Sequence, residues 1–277
     1  FPHVMILIDD PERTVIEPLS QKRSDFAPLY DFDLMNRSGH VKGWIVRTDA
    51  AQNAMKALDK LGSKTVFNKK YGFKSRKPLV FAVGDGNHSL ATAKTCWNEI
   101  KKTLTPEEAA VHPARYALVE VVNLHDDSLK FEPIHRVVFG ADAAKMTVAL
   151  AGFFKDIFIA PKPPKDIAGR QVFVMLSNGN KQYVSVTDEK SNLTVGSLQA
   201  FLDEYLKKET GTVDYIHGDE VVERLCKNPE NIGFLLPTPA KDELFKTVVL
   251  DGALPRKTFS MGHAQDKRFY LEGRKIR

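Results

Sequence analysis

The chain has 277 residues, of which 43% are hydrophobic and 27% are charged, an ordinary composition for a globular protein with a sizeable core. This composition excludes intrinsic disorder and small disulfide scaffolds, and no apolar run approaches the roughly 20 residues that a membrane-spanning helix needs. Forty Lys and Arg against 35 Asp and Glu give a net charge of +5, and neither of the two cysteines has a neighbouring metal ligand. We therefore expect a cytoplasmic protein that does not span a membrane and has no zinc site.

Strand and helix patterns alternate along the whole chain, which predicts a mixed α/β fold with flanking helices around a mixed sheet. The chain opens at Phe1 inside a strand pattern, so we expect the parent protein to continue before it. A hairpin is predicted around the turn at 36–39. The other elements predicted in the first half are extended runs at 15–19, 78–83 and 115–124, a helix at 50–61 capped by Asp49, a helix at 88–104, and a short helix capped by Thr105.

The second half begins with residues 131–139, where Pro133 predicts an edge strand or a loop. The turn Asn178-Gly179 predicts a hairpin between 171–176 and 181–186. The other predicted elements are helices at 142–154 (with Val148 inward), 198–206, 219–226 and 240–250, and strands at 213–217 and 232–236. A Pro-rich break near 160–165 predicts a boundary between a core region, 1–160, and a C-terminal region, 161–277, with a single domain as the alternative.

The sharpest local motif joins a buried strand to a helix through Gly84, Asp85, Gly86 and Asn87, followed by His88 and Ser89. Free backbone N–H groups and the positive end of the helix dipole meet at such a junction, so it can hold a phosphate. Asp85 is a candidate metal ligand or base. The same residues are also good turn formers, with Asn87 as a simple helix cap. The motif is neither a Walker loop nor a Rossmann fingerprint.

Three further motifs carry polar side chains. His135 and Arg136 follow a proline and would face a phosphate, or they form a surface turn. Asp219 is predicted as a helix N-cap, with a metal pair to His217 as the alternative. Arg256 and Lys257 stand beside hydroxyl residues and would contact phosphates, or they belong to a solvated tail.

The order of these motifs resembles the uncharacterised bacterial family called domain of unknown function 1015. That family carries an Ala-Asp-Gly-His-His-Arg-like segment, a Pro-x-His-Arg segment and a C-terminal Pro-x-Lys-Ser/Thr segment, which correspond here to 83–91, 133–136 and 255–258. The resemblance implies that a usual N-terminal portion is missing. Asn87 and Ser89 stand where the family usually has His and Arg, so the segment 83–91 carries no arginine for a phosphate contact.

The segment 86–93 also resembles the helix start of the ParB and sulfiredoxin superfamily, within a strand–loop–helix element at 79–104. In those proteins the element binds nucleotide phosphates, and some relatives phosphorylate a small molecule or hydrolyse nucleotides. This likeness implies nucleotide binding here as well.

Together these observations favour an ATP-dependent phosphotransferase that acts on a small anionic metabolite with Mg²⁺. Another nucleotide as the cofactor, and nucleotide hydrolysis as the reaction, are the alternatives. Gly84, Gly86, Asn87 and Ser89 would bind phosphate, and Asp85 would hold Mg²⁺ or act as the base. The remaining predicted roles are catalytic for His88, His135 and Arg136, and cofactor-binding for Arg256 and Lys257.

Two other hypotheses stay open, a ParB-like nucleic-acid-binding protein and a regulatory binding module without catalysis. The first uses two basic stretches: 61–77 holds six basic residues and no acid, and 254–277 holds seven basic residues and two acids. Such stretches suit an anionic partner, and they also suit a solvated surface.

Overall fold

The fold is mixed α+β, as predicted. The computed structural model describes residues 4–37, 39–84, 88–187, 189–262, 272–273 and 275–276. The chain divides into two compact units, Phe1–Leu129 with Ala264–Arg277, and Lys130–His263. The boundary predicted near residue 160 falls inside the second unit. The strand that ends at Ala160 belongs to a sheet whose other strands come from both before and after this break in the sequence.

The first unit is built on a three-stranded sheet with β1 (Val4–Ile8) in the middle, β4 (Ala82–Val83) on one side and β5 (Val119–Asn123) on the other. β1 runs parallel to β5 and antiparallel to β4. The strand predicted at 78–83 is thus reduced to its last two residues. The hairpin predicted around residues 36–39 is confirmed, and it pairs β2 (Ala27–Asp33) with β3 (His40–Ile45).

Helices and short 3-10 turns connect these strands. They are α1 (Glu17–Gln21), α2 (Thr48–Leu61), α3 (Lys64–Tyr71), α4 (His88–Lys101), α5 (Pro106–Val111), and 3-10 turns at Arg23–Asp25, Met35–Arg37 and Pro113–Arg115. The extended run predicted at 15–19 is wrong, because Pro18 occupies the first turn of α1, where no backbone N–H is needed. The predicted cap of α5 by Thr105 is confirmed, and Thr105 and Glu108 are bonded reciprocally in a capping box. Asp49 is not a cap but lies in the first turn of α2, which starts at Thr48.

The second unit contains a six-stranded sheet in which every neighbouring pair is antiparallel. Its spatial order is β11 (Thr212–Ile216), β7 (His135–Phe139), β12 (Asn231–Leu235), β9 (Gln171–Ser177), β10 (Asn180–Val186), β8 (Ile157–Ala160). The edge-or-loop prediction for 131–139 is wrong for β7, which lies between two partners. Pro133 ends a separate short strand, β6 (Phe131–Pro133), which pairs with β13 (Phe259–Met261).

Four helices are described in this unit: α6 (Ala143–Phe153), α7 (Thr194–Lys208), α8 (Asp219–Leu225) and α9 (Lys241–Asp251). Side chains of α6 and α7 pack with the sheet in the larger core cluster, in which Met146, Leu150 and Leu198 are fully buried. Val148, predicted to point inward, is 73% exposed. In the predicted hairpin turn, Asn178 and Gly179 have positive φ (46° and 72°), as a type I′ turn requires.

A smaller core cluster packs α8 against the sheet, with Val222 and Cys226 both buried. Gly233 of β12 makes this close approach possible, because a Cβ placed there would lie 2.5 Å from Val222 Cγ1 and 2.6 Å from Cys226 Sγ. Burial raises the pKa of the Cys226 thiol to about 11. Helix α8 therefore has its position set by a glycine on the strand beneath it.

Within the described residues, no helix is long and apolar enough to cross a membrane.

Candidate functional site

The predicted phosphate-binding junction lies in the first unit, where α4 follows β4. Gly84 N donates to Met5 O at 2.9 Å, which extends the pairing of β4 with β1 by one residue. Helix α4 starts at His88, and both His88 and Ser89 are exposed. Asp85, Gly86 and Asn87 lie outside the described residues, so the roles predicted for them remain predictions.

The first turn of α4 carries no acidic residue. By contrast, α5 satisfies its own N-terminus with a capping box and adds Glu107 and Glu108 in its first turn. Acidic side chains in a first turn offset the positive end of the helix dipole. Within its first turn, α4 therefore has no acidic side chain that offsets the positive end of its dipole.

A cluster that the sequence reasoning missed lies at the other end of the same sheet, around Asp9. The Asp9 side chain is 4% exposed, and its Oδ1 lies 2.7 Å from Lys70 Nζ and 2.6 Å from His125 Nε2. The hydroxyl of Tyr71 donates to Asp9 Oδ2, and burial together with this carboxylate raises the pKa of Tyr71. Met5 and Asp9 are separated by about 13 Å of strand, so this cluster is distinct from the α4 terminus.

The neighbouring Asp10 holds the backbone that follows β1 through hydrogen bonds. Its carboxylate accepts from Thr14 N at 2.6 Å and Val15 N at 2.9 Å, and Asn123 Nδ2 donates to its carbonyl at 2.8 Å. Asn123 Nδ2 also reaches Glu17 Oε1 at 2.8 Å, whereas Glu17 Oε2 is buried without a partner among the described residues. The pair Asp9-Asp10 directly after an apolar strand was the available sequence signal, and it is also an ordinary turn signal.

In the second unit, His135 is buried between two partners. Its Nδ1 accepts from Leu236 N at 3.1 Å, and its Nε2 lies 2.8 Å from Asp219 Oδ1. An accepting Nδ1 fits the neutral ring with the proton on Nε2. Burial lowers the pKa of His135, although Asp219 acts in the opposite direction. The N-cap prediction for Asp219 is wrong, since Gly218 is the cap and Asp219 pairs with His135 instead of closing the helix end.

Arg136, adjacent in sequence, is fully buried. Its guanidinium donates to Gln199 Oε1 and Arg256 O, each at 3.3 Å, and to Ile134 O. It also lies over the Tyr215 ring, 5.0 Å from the centroid. Burial lowers the pKa of Arg136 to about 10. The side chain faces the protein interior, not solvent.

The contact with Arg256 O ties the C-terminal motif to β7. Thr258 is buried, and its Oγ1 donates to Pro255 O at 2.6 Å, while the side chains of Arg256 and Lys257 are exposed. The structure thus brings together the motifs at 133–136, 217–219 and 255–258 in the second unit, with His217 exposed. Gly84, His88 and Ser89 belong to the first unit.

No group of three or more His, Cys, Asp or Glu side chains is placed to hold a metal ion within the described part of the chain. Asp85, the predicted Mg²⁺ ligand, lies outside that part, so the metal prediction remains a prediction.

Residues 1–205 match the family described as Protein of unknown function (DUF1015), and the chain belongs to that family. No curated protein matches it.

Several solved structures are similar to this chain at low sequence identity. A conserved hypothetical protein from Pyrococcus furiosus is 15% identical, with 67% of this chain and 71% of that chain covered and a TM-score of 0.44. SbnI from Staphylococcus aureus, with a C-terminal truncation, is 12% identical over 98% of this chain and 81% of its own, with a TM-score of 0.43. A free serine kinase in complex with AMP is 12% identical over 92% and 83%, with a TM-score of 0.39.

Proposed function

We propose that this protein is a nucleotide-binding phosphotransferase that transfers a phosphoryl group from ATP, with Mg²⁺, to a small metabolite. The observation that carries the proposal is the start of α4. This 14-residue helix begins at His88, with three residues between it and Gly84, and it has His88 and Ser89 exposed and no acid in its first turn.

The physical basis is the helix terminus itself. The first backbone N–H groups of a helix have no partners within it, and the aligned peptide dipoles add positive potential at the same place. Phosphate oxygens are suitable acceptors for both. In the proposal, Gly84, Gly86, Asn87 and Ser89 bind phosphate, and Asp85 holds Mg²⁺ or acts as the base. The likeness of 86–93 to the ParB and sulfiredoxin element is part of the same proposal.

The motifs of the second unit receive different roles. Arg256 and Lys257 have exposed side chains, and the cofactor-binding role predicted for them remains a prediction. Arg136, whose donors reach protein acceptors, would hold the backbone of this segment, and His135 would fix α8 through Asp219. These two buried residues would then act as positioning residues and not touch the transferred group.

The test is a thermal-shift titration of the full chain with ATP and ADP, with and without Mg²⁺. A ligand that binds the folded state raises the melting temperature by an amount that grows with its concentration over Kd. We expect ATP to stabilise the wild type and to have a much smaller effect on the Asn87→Ala/His88→Ala variant.

Lys94→Ala is the matched control, because it removes an exposed positive charge from the middle of α4 without touching its terminus. It should respond to ATP like the wild type. If no nucleotide raises the melting temperature of the wild type, the proposal fails. If Lys94→Ala loses the response to ATP as fully as the double variant does, ATP is held by unspecific charge attraction and not by the helix terminus.

A nucleic-acid-binding function is the second candidate, and one observation favours it. Of the six basic residues in 61–77, Lys70 is paired with Asp9, but the other five are exposed: Lys64, Lys69, Lys74, Arg76 and Lys77. Contacts to a nucleic-acid backbone release counterions, so affinity would fall steeply with salt. Binding of single- or double-stranded DNA at low salt, lost in a Lys74→Ala/Arg76→Ala variant that still responds to ATP, would identify this surface.

A further inference from the structure

The hairpin turn between β9 and β10 consists of Asn178 and Gly179, the one Asn-Gly pair in the sequence. Both residues are exposed, and the side chain of Asn178 makes no hydrogen bond within the described part of the chain. Its amide carbon is therefore open to attack by the next backbone nitrogen. Glycine has no Cβ that would obstruct this approach.

The reaction available to this pair is intramolecular. The Gly179 nitrogen attacks Asn178 Cγ, so that an N–Cγ bond forms and the Cγ–Nδ2 bond breaks. The side-chain nitrogen leaves as ammonia and takes with it the proton of the Gly179 amide, and a cyclic imide remains. Water then opens the ring at one of its two carbonyls, which gives aspartate or, where the chain continues through Cγ, isoaspartate. One water is consumed and one ammonia is released, and nothing is oxidised or reduced.

A backbone hydrogen bond opposes this reaction in the folded chain. Gly179 N donates to the carbonyl of Cys226, the C-cap residue of α8, at 3.2 Å. The attacking nitrogen must first lose its proton to a base, and a hydrogen-bonded amide proton is protected until its bond opens, as in amide hydrogen exchange. The reaction at Asn178 therefore waits for the contact between the turn and α8 to open.

The position of this acceptor is set by the packing of α8. Cys226 is 1% exposed, and its N donates to Val222 O at 2.9 Å within the last turn of the helix. The side chains of Cys226 and Val222 approach β12 closely at Gly233, as described above. A change that loosens α8 on the sheet therefore also frees the Gly179 amide.

We propose that Asn178 is a site of spontaneous deamidation and isoaspartate formation, and that the docking of α8 on the hairpin turn sets the rate. The proposal is independent of nucleotide binding at α4, because every residue that it uses lies in the second unit.

The product changes the turn in two ways. Isoaspartate adds one atom to the backbone of a two-residue turn, and it replaces a neutral amide by a negative charge. The longer turn disturbs the pairing of Ser177 with Asn180 and the bond from Gly179 to α8. Modification would therefore loosen α8 in turn.

The experiment is peptide mapping by mass spectrometry of the full chain, incubated without nucleotide in mildly alkaline buffer. It measures aspartate and isoaspartate at position 178 over time, in native buffer and in urea at the same pH. Asn180 is the internal control, because it is exposed beside the same turn but is followed by Lys181, whose side chain obstructs the attack. We expect Asn178 to react and Asn180 to stay intact, with the native chain slower than the chain in urea by roughly tenfold or more.

A pair of glycine variants tests the role of α8. Gly233→Ala forces a methyl group against Val222 and Cys226 and loosens the helix, so deamidation of the folded variant should be severalfold faster than in the wild type. Gly152→Ala is the control, since it adds the same methyl group on α6, where the new Cβ meets no described side chain beyond its chain neighbours within 4 Å. Its rate should equal that of the wild type.

Hydrogen exchange of the Gly179 amide gives a second measurement that needs no variant, and it decides the question if Gly233→Ala fails to fold. Exchange and deamidation require the same opening and the loss of the same proton. Both should therefore be slowed by similar factors in the native chain relative to the chain in urea.

The proposal is overturned if Asn178 stays unmodified for as long as Asn180 does. A native rate equal to the rate in urea, or a folded Gly233→Ala variant that reacts no faster than the wild type, overturns the role of α8. An unprotected Gly179 amide in hydrogen exchange has the same meaning.

Discussion

Replacing Gly233 by alanine tests whether the contact between α8 and β12 is as close as the structure requires. The added Cβ would lie 2.5 Å from Val222 Cγ1 and 2.6 Å from Cys226 Sγ. Ordinary carbon contacts are about 3.5–4.0 Å, so the overlap is about 1 Å at two points. Both neighbours are buried, at 0% and 1% exposure, and neither can swing into solvent.

The expected loss follows from two opposing effects. Overpacking of a close-packed core costs about 1–3 kcal/mol. Replacing glycine in a strand regains about 0.5–1 kcal/mol of backbone entropy. The net prediction is a decrease of about 1–2 kcal/mol in the free energy of unfolding. Because α8 carries Asp219 against His135, the same substitution should also disturb that pair.

Urea denaturation of the wild type, Gly233→Ala, Val222→Ala and the double variant measures this as a double-mutant cycle under reducing conditions. Trimming Val222 leaves room for the new methyl group, so the two substitutions should couple by about 1 kcal/mol. A Gly233→Ala variant as stable as the wild type, or a cycle that is additive, would refute the close-contact explanation.

Two further predictions concern the buried residues of β7. Burial lowers the pKa of His135 below its usual 6.5, so the stability due to its neutral ring is complete above about pH 6.5 and is lost as the pH falls towards the folded-state pKa. A plot of melting temperature against pH should therefore fall less steeply on the acid side in His135→Gln than in the wild type. Parallel curves would show that the neutral ring of His135 is not the cause of the acid-side loss of stability. Burial lowers the pKa of Arg136 to about 10, so holding its charge inside the protein is costly. Arg136→Met removes the charge but leaves three acceptors without a donor, at about 1–3 kcal/mol for each that is buried, whereas Arg136→Lys can still donate to at least one of them. Urea denaturation should therefore show the Met variant to be the less stable of the two; the reverse order would show that the cost of burying the charge outweighs the lost hydrogen bonds.

Elements whose signal lies within a few neighbouring residues were predicted well from sequence. The hairpin at Asn178-Gly179 needs two residues that tolerate positive φ, and the α5 start needs Thr105 three positions before Glu108. Both conditions are complete within a few residues. The hairpin between β2 and β3 and the helix α7 have equally local signals.

Contacts between distant parts of the chain were not visible from sequence. His125 and Asp9 are 116 residues apart, and His135 and Asp219 are 84 apart, so no spacing rule links them. Pro133 was a sound sign of a strand end, but its effect stops at β6, and β7 starts only two residues later in the centre of a sheet. The phosphate-binding role of 84–89 was predicted from a local motif and remains a prediction.

The parallel pairing of β1 with β5 has a consequence for how the protein is made. Val4 pairs with Val119, 115 positions later, whereas β9 and β10 meet across a two-residue turn. At about 5–20 residues per second, the ribosome needs roughly 10 s to deliver the partner of β1. During that interval the edge of β1 that later pairs with β5 is unpaired, available to chaperones or to the same strand of another nascent chain. Closing so long a loop is also slow in refolding, so we expect the first unit to limit the folding rate and to set the concentration at which refolding gives way to aggregation.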